Sequence, residues 1–155
     1  MQKTLVLIKP DAVERGLVGE ITGRMEGKGL TLVGMKMIQL DDAMLKEHYA
    51  HLADKPFFPG IAGFMKSTPV VVQCWEGVEA VEVVRLMVGV TNARAAAPGT
   101  IRGDLAMSIQ SNLVHASDSL ETAQVEVPRF FKAGEVLSYK RSAFEYMYAP
   151  DEKSM

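Results

Sequence analysis

The chain has 155 residues, 48% of them apolar and 23% charged, with a net charge of −2 and a pI near 5.9. That length and composition suit one globular domain with a substantial core and exclude a disordered chain. The charge balance excludes nucleic acid as a main partner, the short apolar runs exclude a transmembrane helix, and the single cysteine, Cys74, excludes an internal disulfide framework and suits a reducing compartment.

In chain order, Thr4-Leu5-Val6-Leu7-Ile8 is a continuous apolar run ended by Lys9-Pro10, which predicts a central strand. Met1 to Pro10 has no cleavage-site pattern and is not a signal peptide. Asp11 to Gly16 reads as a turn-forming loop. Val18, Ile21 and Met25 recur at helical spacing, and Gly27 and Gly29 close that helix. Leu30 to Leu40 predicts a second strand. Asp41-Asp42 caps a helix with the stripe Leu45, His48, Tyr49 and Leu52. Lys55 to Gly60 interrupts it, and Ile61 to Met65 predicts a further short helix. Val70 to Trp75 is a strand, and Gly77 introduces a helix bearing Val81, Val84 and Val88 that ends at Gly89. From about 90 to 111 the pattern is irregular and rich in turn residues, a length that marks a functional loop. A short strand through Val114 and His115 follows, then a helix opened by Asp118 with Glu121 as a capping pair and ended or kinked at Pro128. The tail beyond about 135 carries Tyr139, Phe144, Tyr146 and Tyr148 and should pack against something, with Asp151 to Met155 frayed.

With the helix pair counted as an insertion, this order is βαββαβ. It predicts an α+β, ferredoxin-like antiparallel sheet with helices packed on it, a long loop at about 90–111 and a C-terminal extension. The division is one domain over 1–155, with a core at about 3–135 and a tail at about 136–155.

Gly23 to Gly29 is not a phosphate loop. Its glycines are too close together, no Ser or Thr follows Lys28, and it closes a helix instead of opening one. His115, by contrast, ends a buried strand just before a helix N-terminus, where the dipole favours an anion by ~0.3–1 kcal/mol. Basic side chains must supply the rest. A lone strand histidine is often only a packed polar group, but a histidine nucleophile needs one ring nitrogen anchored, and Glu126 on the next helix is a candidate anchor, with Ser117 close by. Lys9, before Pro10-Asp11, is either a solvated lysine or a phosphate ligand. Arg102, in the Pro98–Asp104 loop, can present a guanidinium fork to phosphate oxygens. Arg85 has a simple alternative partner in Glu82 at helical spacing, and Tyr49 belongs to its helix stripe. Phe57-Phe58 between prolines either plugs the core or offers a stacking face, and stacking tolerates any base. No His/Cys spacing fits a zinc cage, while a Mg²⁺ carried by nucleotide phosphates is compatible with the residue set.

Taken together, Lys9-Pro10-Asp11-Ala12-Val13, Arg15-Gly16-Leu17, Tyr49, Pro56-Phe57-Phe58, Trp75-Glu76-Gly77, Thr91-Asn92, Pro98 to Asp104 and Asn112 to Ser119 resemble the nucleoside diphosphate kinase family from about Thr4 to Phe131. The resemblance implies a ping-pong enzyme in which a nucleoside triphosphate gives its γ-phosphoryl group to His115 and a nucleoside diphosphate collects it. The alternative is a catalytically silent nucleotide-binding or regulatory relative. It further implies that Lys9, Tyr49, Arg85, Thr91, Arg102 and Asn112 hold phosphates and ribose, that Phe57 stacks on the base, and that Ser117 and Glu126 support the imidazole. Mg²⁺ is implied as cofactor, held mainly by phosphates and waters. Nucleoside tri- and diphosphates are the implied partners, and a dimer-based tetramer or hexamer in the cytoplasm the implied setting. The chain departs from the family at Ala93, where proline is usual, which predicts a looser loop entry. The tail is longer than in many bacterial members, and its tyrosines would suit packing on a neighbouring subunit.

Overall fold

The computed structural model describes the backbone of residues 1–155 and every side chain but that of Ser154. The elements in order are β1 (Gln2–Ile8), α1 (Pro10–Glu14), α2 (Val18–Lys28), β2 (Thr31–Ile38), α3 (Asp42–His48), α4 (Phe58–Met65), β3 (Val70–Gly77), α5 (Ala80–Val88), a 3₁₀ turn (Ala93–Ala95), α6 (Ile101–Leu105), β4 (Val114–Ala116), α7 (Leu120–Phe130) and α8 (Phe144–Met147). The four strands form one sheet in the order β2-β3-β1-β4, every neighbouring pair antiparallel. This is the expected ferredoxin-like arrangement.

The largely apolar runs of β1 and β3 follow from burial on both faces of the sheet. On one face Val6, Ile8, Val71 and Trp75 meet Ile21 and Met25 of α2 and Val84 and Val88 of α5. On the other, Leu5, Leu7, Val70 and Val72 meet Leu45 of α3, Met65 of α4 and Phe130 of α7. The polar atom that Trp75 brings inside is satisfied: its Nε1 donates to Gln73 Oε1 at 3.0 Å, and Gln73 Nε2 donates to Thr22 Oγ1 at 2.7 Å. His115 pairs with Leu7 across the β1–β4 ladder. It stands between Val114 and Ala116, which face the α2/α5 layer, so strand alternation turns it toward the layer of α3 and α7.

Several expectations are corrected. Asp11 to Gly16 is not simply a loop, because Pro10 at the first helical position starts α1. The cap of α7 is Ser119, whose Oγ accepts from Thr122 N at 3.1 Å, and not Asp118. Pro128 lies inside α7, which continues to Phe130; in the last turn a single backbone bond is forfeited. Helix α3 stops at His48, so Leu52 is outside it. The 90–111 loop contains the 3₁₀ turn and α6, whose cap is Thr100. Its entry is held: Ala93 is buried, and its N–H, which a proline would lack, donates to Ser108 O at 3.4 Å. The start of the tail packs on its own chain, while Tyr146 stays exposed. Leu137 N donates to Val33 O, Tyr139 Oη to Leu32 O, and Arg141 Nη1 to Leu30 O, covering part of the free edge of β2. The chain end is tied too, with Lys153 Nζ at 2.7 Å from Glu145. Among the described residues no helix is long and apolar enough to cross a membrane.

Candidate active site

The site forms where the C-terminal end of β1 meets the approach to β4. Lys9 N donates to Leu113 O at 2.8 Å, and Leu113 N donates to Asp11 Oδ2 at 3.0 Å. Leu113 is thereby held at φ 74, a left-handed conformation that costs a residue with a Cβ about 1–3 kcal/mol. This forced turn, two residues before His115, sets the direction in which β4 begins.

All seven residues expected to hold nucleotide line a single cavity of about 570 Å³, together with His115 and Asp118. Lys9 Nζ donates to Asn112 Oδ1 at 2.7 Å and to Gln110 O at 3.4 Å. Asn112, itself buried, donates from Nδ2 to Thr91 O and Ile109 O, so it ties Lys9 to the long loop. Arg102 does not extend freely as a fork. It is buried, and its Nε, Nη1 and Nη2 donate to Asn112 O, Gly89 O and Val114 O. Those bonds engage three of its five N–H groups, leaving two for a ligand. Gly89 permits the close packing of Thr100, since a Cβ there would stand 2.6 Å from Thr100 Oγ1. Arg85 forms no ion pair with Glu82 among the described residues, so the simple helical explanation fails and its guanidinium is left to the cavity. Of the aromatic pair, each expectation holds for one member: Phe58 is core, while Phe57 is 54% exposed at the cavity rim.

Among the described residues, none of Lys9, Arg85 and Arg102 is ion-paired with a carboxylate. Crowding them in a partly buried hollow is unfavourable and shows in the proton affinities of Lys9 and Arg102. Burial, then Arg102, pushes Lys9 down to about 8 against the opposing pull of Asp11. Burial and Arg85 push Arg102 down to about 10. A cluster of this kind is built to receive an anion.

Behind His115 lies an arrangement that sequence reading recovered only in part. Glu126, 3% exposed, accepts from His115 Nε2 at 2.5 Å. Nε2 thus carries the proton and Nδ1 keeps its lone pair on the cavity side of the ring. Ser117, expected to support the imidazole, makes its side-chain contact elsewhere. It is fully buried, its Oγ accepts from Leu5 N at 3.3 Å, and no hydrogen bond joins it to His115 or Glu126 among the described residues. Its work is to extend the β1–β4 pairing. His48, set aside as a stripe residue, packs edge-on against His115 with ring centroids 4.6 Å apart and interplanar angle 84°. Its Nδ1 accepts from Arg129 Nη1 at 3.1 Å, and burial first, then His115 and Arg129, holds it neutral with a pKa of about 3. Tyr49 adjoins it, its phenol pushed up to about 12 by burial and by Glu126. Glu126 and Arg129 share one face of α7 at spacing three, the signal by which Arg129 was findable; nothing local marks His48 or Asp11.

His48, His115 and Glu126 bring potential metal-ligand atoms within 4.8 Å of one another. The Arg129 cation on His48 and the proton shared by His115 and Glu126 make this a poor cage. Asp118, exposed at the cavity, is the carboxylate placed to meet a hard cation bound to phosphates.

Residues 2–136 match the sequence profile described as nucleoside diphosphate kinase. The chain belongs to the nucleoside diphosphate kinase family. It is therefore a phosphotransferase acting on nucleotides. It is 58% identical over 152 residues to the nucleoside diphosphate kinase of Parabacteroides distasonis, covering 98% of this chain and 99% of that one. It is 47% identical over 147 residues to nucleoside diphosphate kinase B of Bos taurus, covering 95% and 97%. The structure of a halophilic nucleoside diphosphate kinase from Halobacterium salinarum in complex with CDP superposes with a TM-score of 0.93 at 43% identity, covering 96% of this chain and 99% of that one. A family structure from Babesia bovis gives 0.92 at 39% identity over 96% and 100%.

Proposed function

We propose that this nucleoside diphosphate kinase works by a ping-pong exchange through His115. Nδ1 attacks the γ-phosphorus of a nucleoside triphosphate, the bond to the bridging oxygen breaks, and the nucleoside diphosphate leaves. A second diphosphate then attacks the phosphohistidine in the reverse sense. As the ring acquires the phosphoryl group it becomes cationic, and the Glu126 carboxylate on Nε2–H is placed to stabilise it. Lys9, Arg85 and Arg102 balance the polyphosphate, which is what phosphoryl transfer chiefly requires. Phe57 stacks on the base without reading its identity. Tyr49, Thr91 and Asn112 border the phosphate and ribose positions. The observation that carries this reading is the juxtaposition of three unpaired cations with a histidine whose Nε2 is held by Glu126.

The divalent cation of this chemistry is taken to be Mg²⁺, which neutralises charge on the polyphosphate; Asp118 at the cavity suits an ion held mainly by phosphates and waters. The same reading treats residues 1–155 as one domain, assembled as a dimer-based tetramer or hexamer in the cytoplasm; light scattering reads the assembly. For the mechanism, the protein is incubated with γ-labelled ATP, tested for an acid-labile, alkali-stable phosphate, and chased with GDP. Wild-type protein that never takes up label overturns the ping-pong reading, and label that persists in His115→Ala overturns the choice of nucleophile.

A further inference from the structure

Lys9 is placed for chemistry of its own. Its Nζ reaches the nucleotide cavity with oxygen atoms as its only hydrogen-bond partners among the described residues, Asn112 Oδ1 at 2.7 Å and Gln110 O at 3.4 Å. An ammonium has three donors, so one position of Nζ stays open. Arg85 and Arg102 share the cavity and supply a phosphate seat, and Tyr49, His115 and Asp118 are the other titratable groups that line it.

We infer that Lys9 is an acylation site for small acyl phosphates, the mixed anhydrides of a carboxylic acid with phosphoric acid. This rests on the reading of the cavity as a polyphosphate site. A phosphate bound by Arg85 and Arg102 carries its acyl carbon one bridging oxygen away, toward Nζ. The Nζ lone pair attacks the carbonyl carbon and the bond from that carbon to the bridging oxygen breaks. The bond's electron pair leaves with inorganic phosphate, and the amine proton goes to the departing phosphate. The product is a neutral amide on Lys9, so one of the three cations is lost and phosphotransfer falls with it. The depressed proton affinity of Lys9, near 8, supports this. At about pH 8 roughly half of it is free amine, whereas an ordinary lysine is well under ~1% free. The bound phosphate opposes this by drawing part of that proton back.

The experiment uses the full chain at about pH 8 with acetyl phosphate, with and without ADP, and reads acetylation at each lysine by peptide mass spectrometry. Any phosphohistidine is lost in acidic digestion, while the amide survives. Lys9 should be acetylated at least about tenfold faster than the exposed Lys28 and Lys46, and ADP should abolish that preference. Loss of kinase activity should track Lys9 acetylation and not the total. Lys9 reacting no faster than Lys28, or a preference that ADP leaves untouched, overturns the inference. Labelling the same preparation with γ-labelled ATP separates it from the kinase reading: label on His115 without a Lys9 preference sinks the acylation site alone, and an ADP-sensitive Lys9 preference without label upholds it while sinking the phosphohistidine.

Discussion

Glu126 holds Nε2 of His115 at 2.5 Å from a position only 3% exposed, and in the proposed mechanism that one contact leaves Nδ1 as the ring nitrogen that reacts. A carboxylate on Nε2–H fixes both tautomer and ring plane. Glu126→Gln can still accept the bond through its amide oxygen but cannot offset the charge that develops on the ring. Its kcat should fall by about 10²-fold, within the range for positioned acid–base groups, with KM nearly unchanged. Steady-state kinetics on ATP and GDP read the split, and an equal rise in KM would mean that Glu126 shapes the pocket instead.

In the proposed site Lys9 contributes to phosphate binding only while it is protonated. With its proton affinity lowered to about 8, that contribution is nearly complete at about pH 7 and is lost as pH rises through about 8. The value of kcat/KM, which reports the free enzyme, should decline above about pH 8 by up to about tenfold per unit. Lys9→Arg, which stays charged throughout, should give a flat profile over the same range, and a wild-type profile equally flat would contradict the assignment.

His48 is buried in its neutral form, with a pKa of about 3 against an ordinary 6.5. As pH falls below 6.5 the unfolded chain takes up a proton that the native state refuses, so stability is full above 6.5 and declines toward 3. The loss is about 2 kcal/mol by about pH 5. His48→Phe keeps the ring and removes the titration. Urea unfolding at about pH 7 and about pH 5 should show the wild type losing about 2 kcal/mol more than the variant.

Asp11 restrains the turn at Leu113. In Asp11→Ala the Leu113 N–H is left without its acceptor, at a cost of about 1–3 kcal/mol, and the strained φ of 74 loses one of its two restraints. Thermal unfolding should show that loss. Asp11→Asn, which retains an acceptor oxygen, should recover most of the stability.

Much of this was legible along the chain because the signals are local. The runs at Thr4–Ile8 and Val70–Trp75 declare strands buried on both faces, and the glycines at 29 and 89 close helices where the backbone turns left-handed. The sites of Lys9, Phe57, Arg102 and His115 lie beside recognisable turn residues. The errors are of two kinds. Asp118 and Ser119 are both acceptable caps, and which one serves depends on which adopts extended φ and ψ beside the helix. Ser117 sits beside His115 in sequence, yet its hydroxyl is claimed by Leu5 across the ladder.

The sequence alone determined the order of the four strands and the longer helices, the antiparallel class of the sheet and the histidine on which the proposed chemistry turns, because periodicity, turn residues and caps act within a few residues. Only the tertiary structure decided how that histidine is armed. Glu126 and His48 reach it from α7 and α3. Asp11, 102 positions before Leu113, forces the turn that precedes it, and Arg102 spends three bonds on backbone carbonyls before it can meet a phosphate. Hydrogen bonds and charge repulsion depend on distance in space, and residues brought together by packing across the sheet carry no mark of it along the chain.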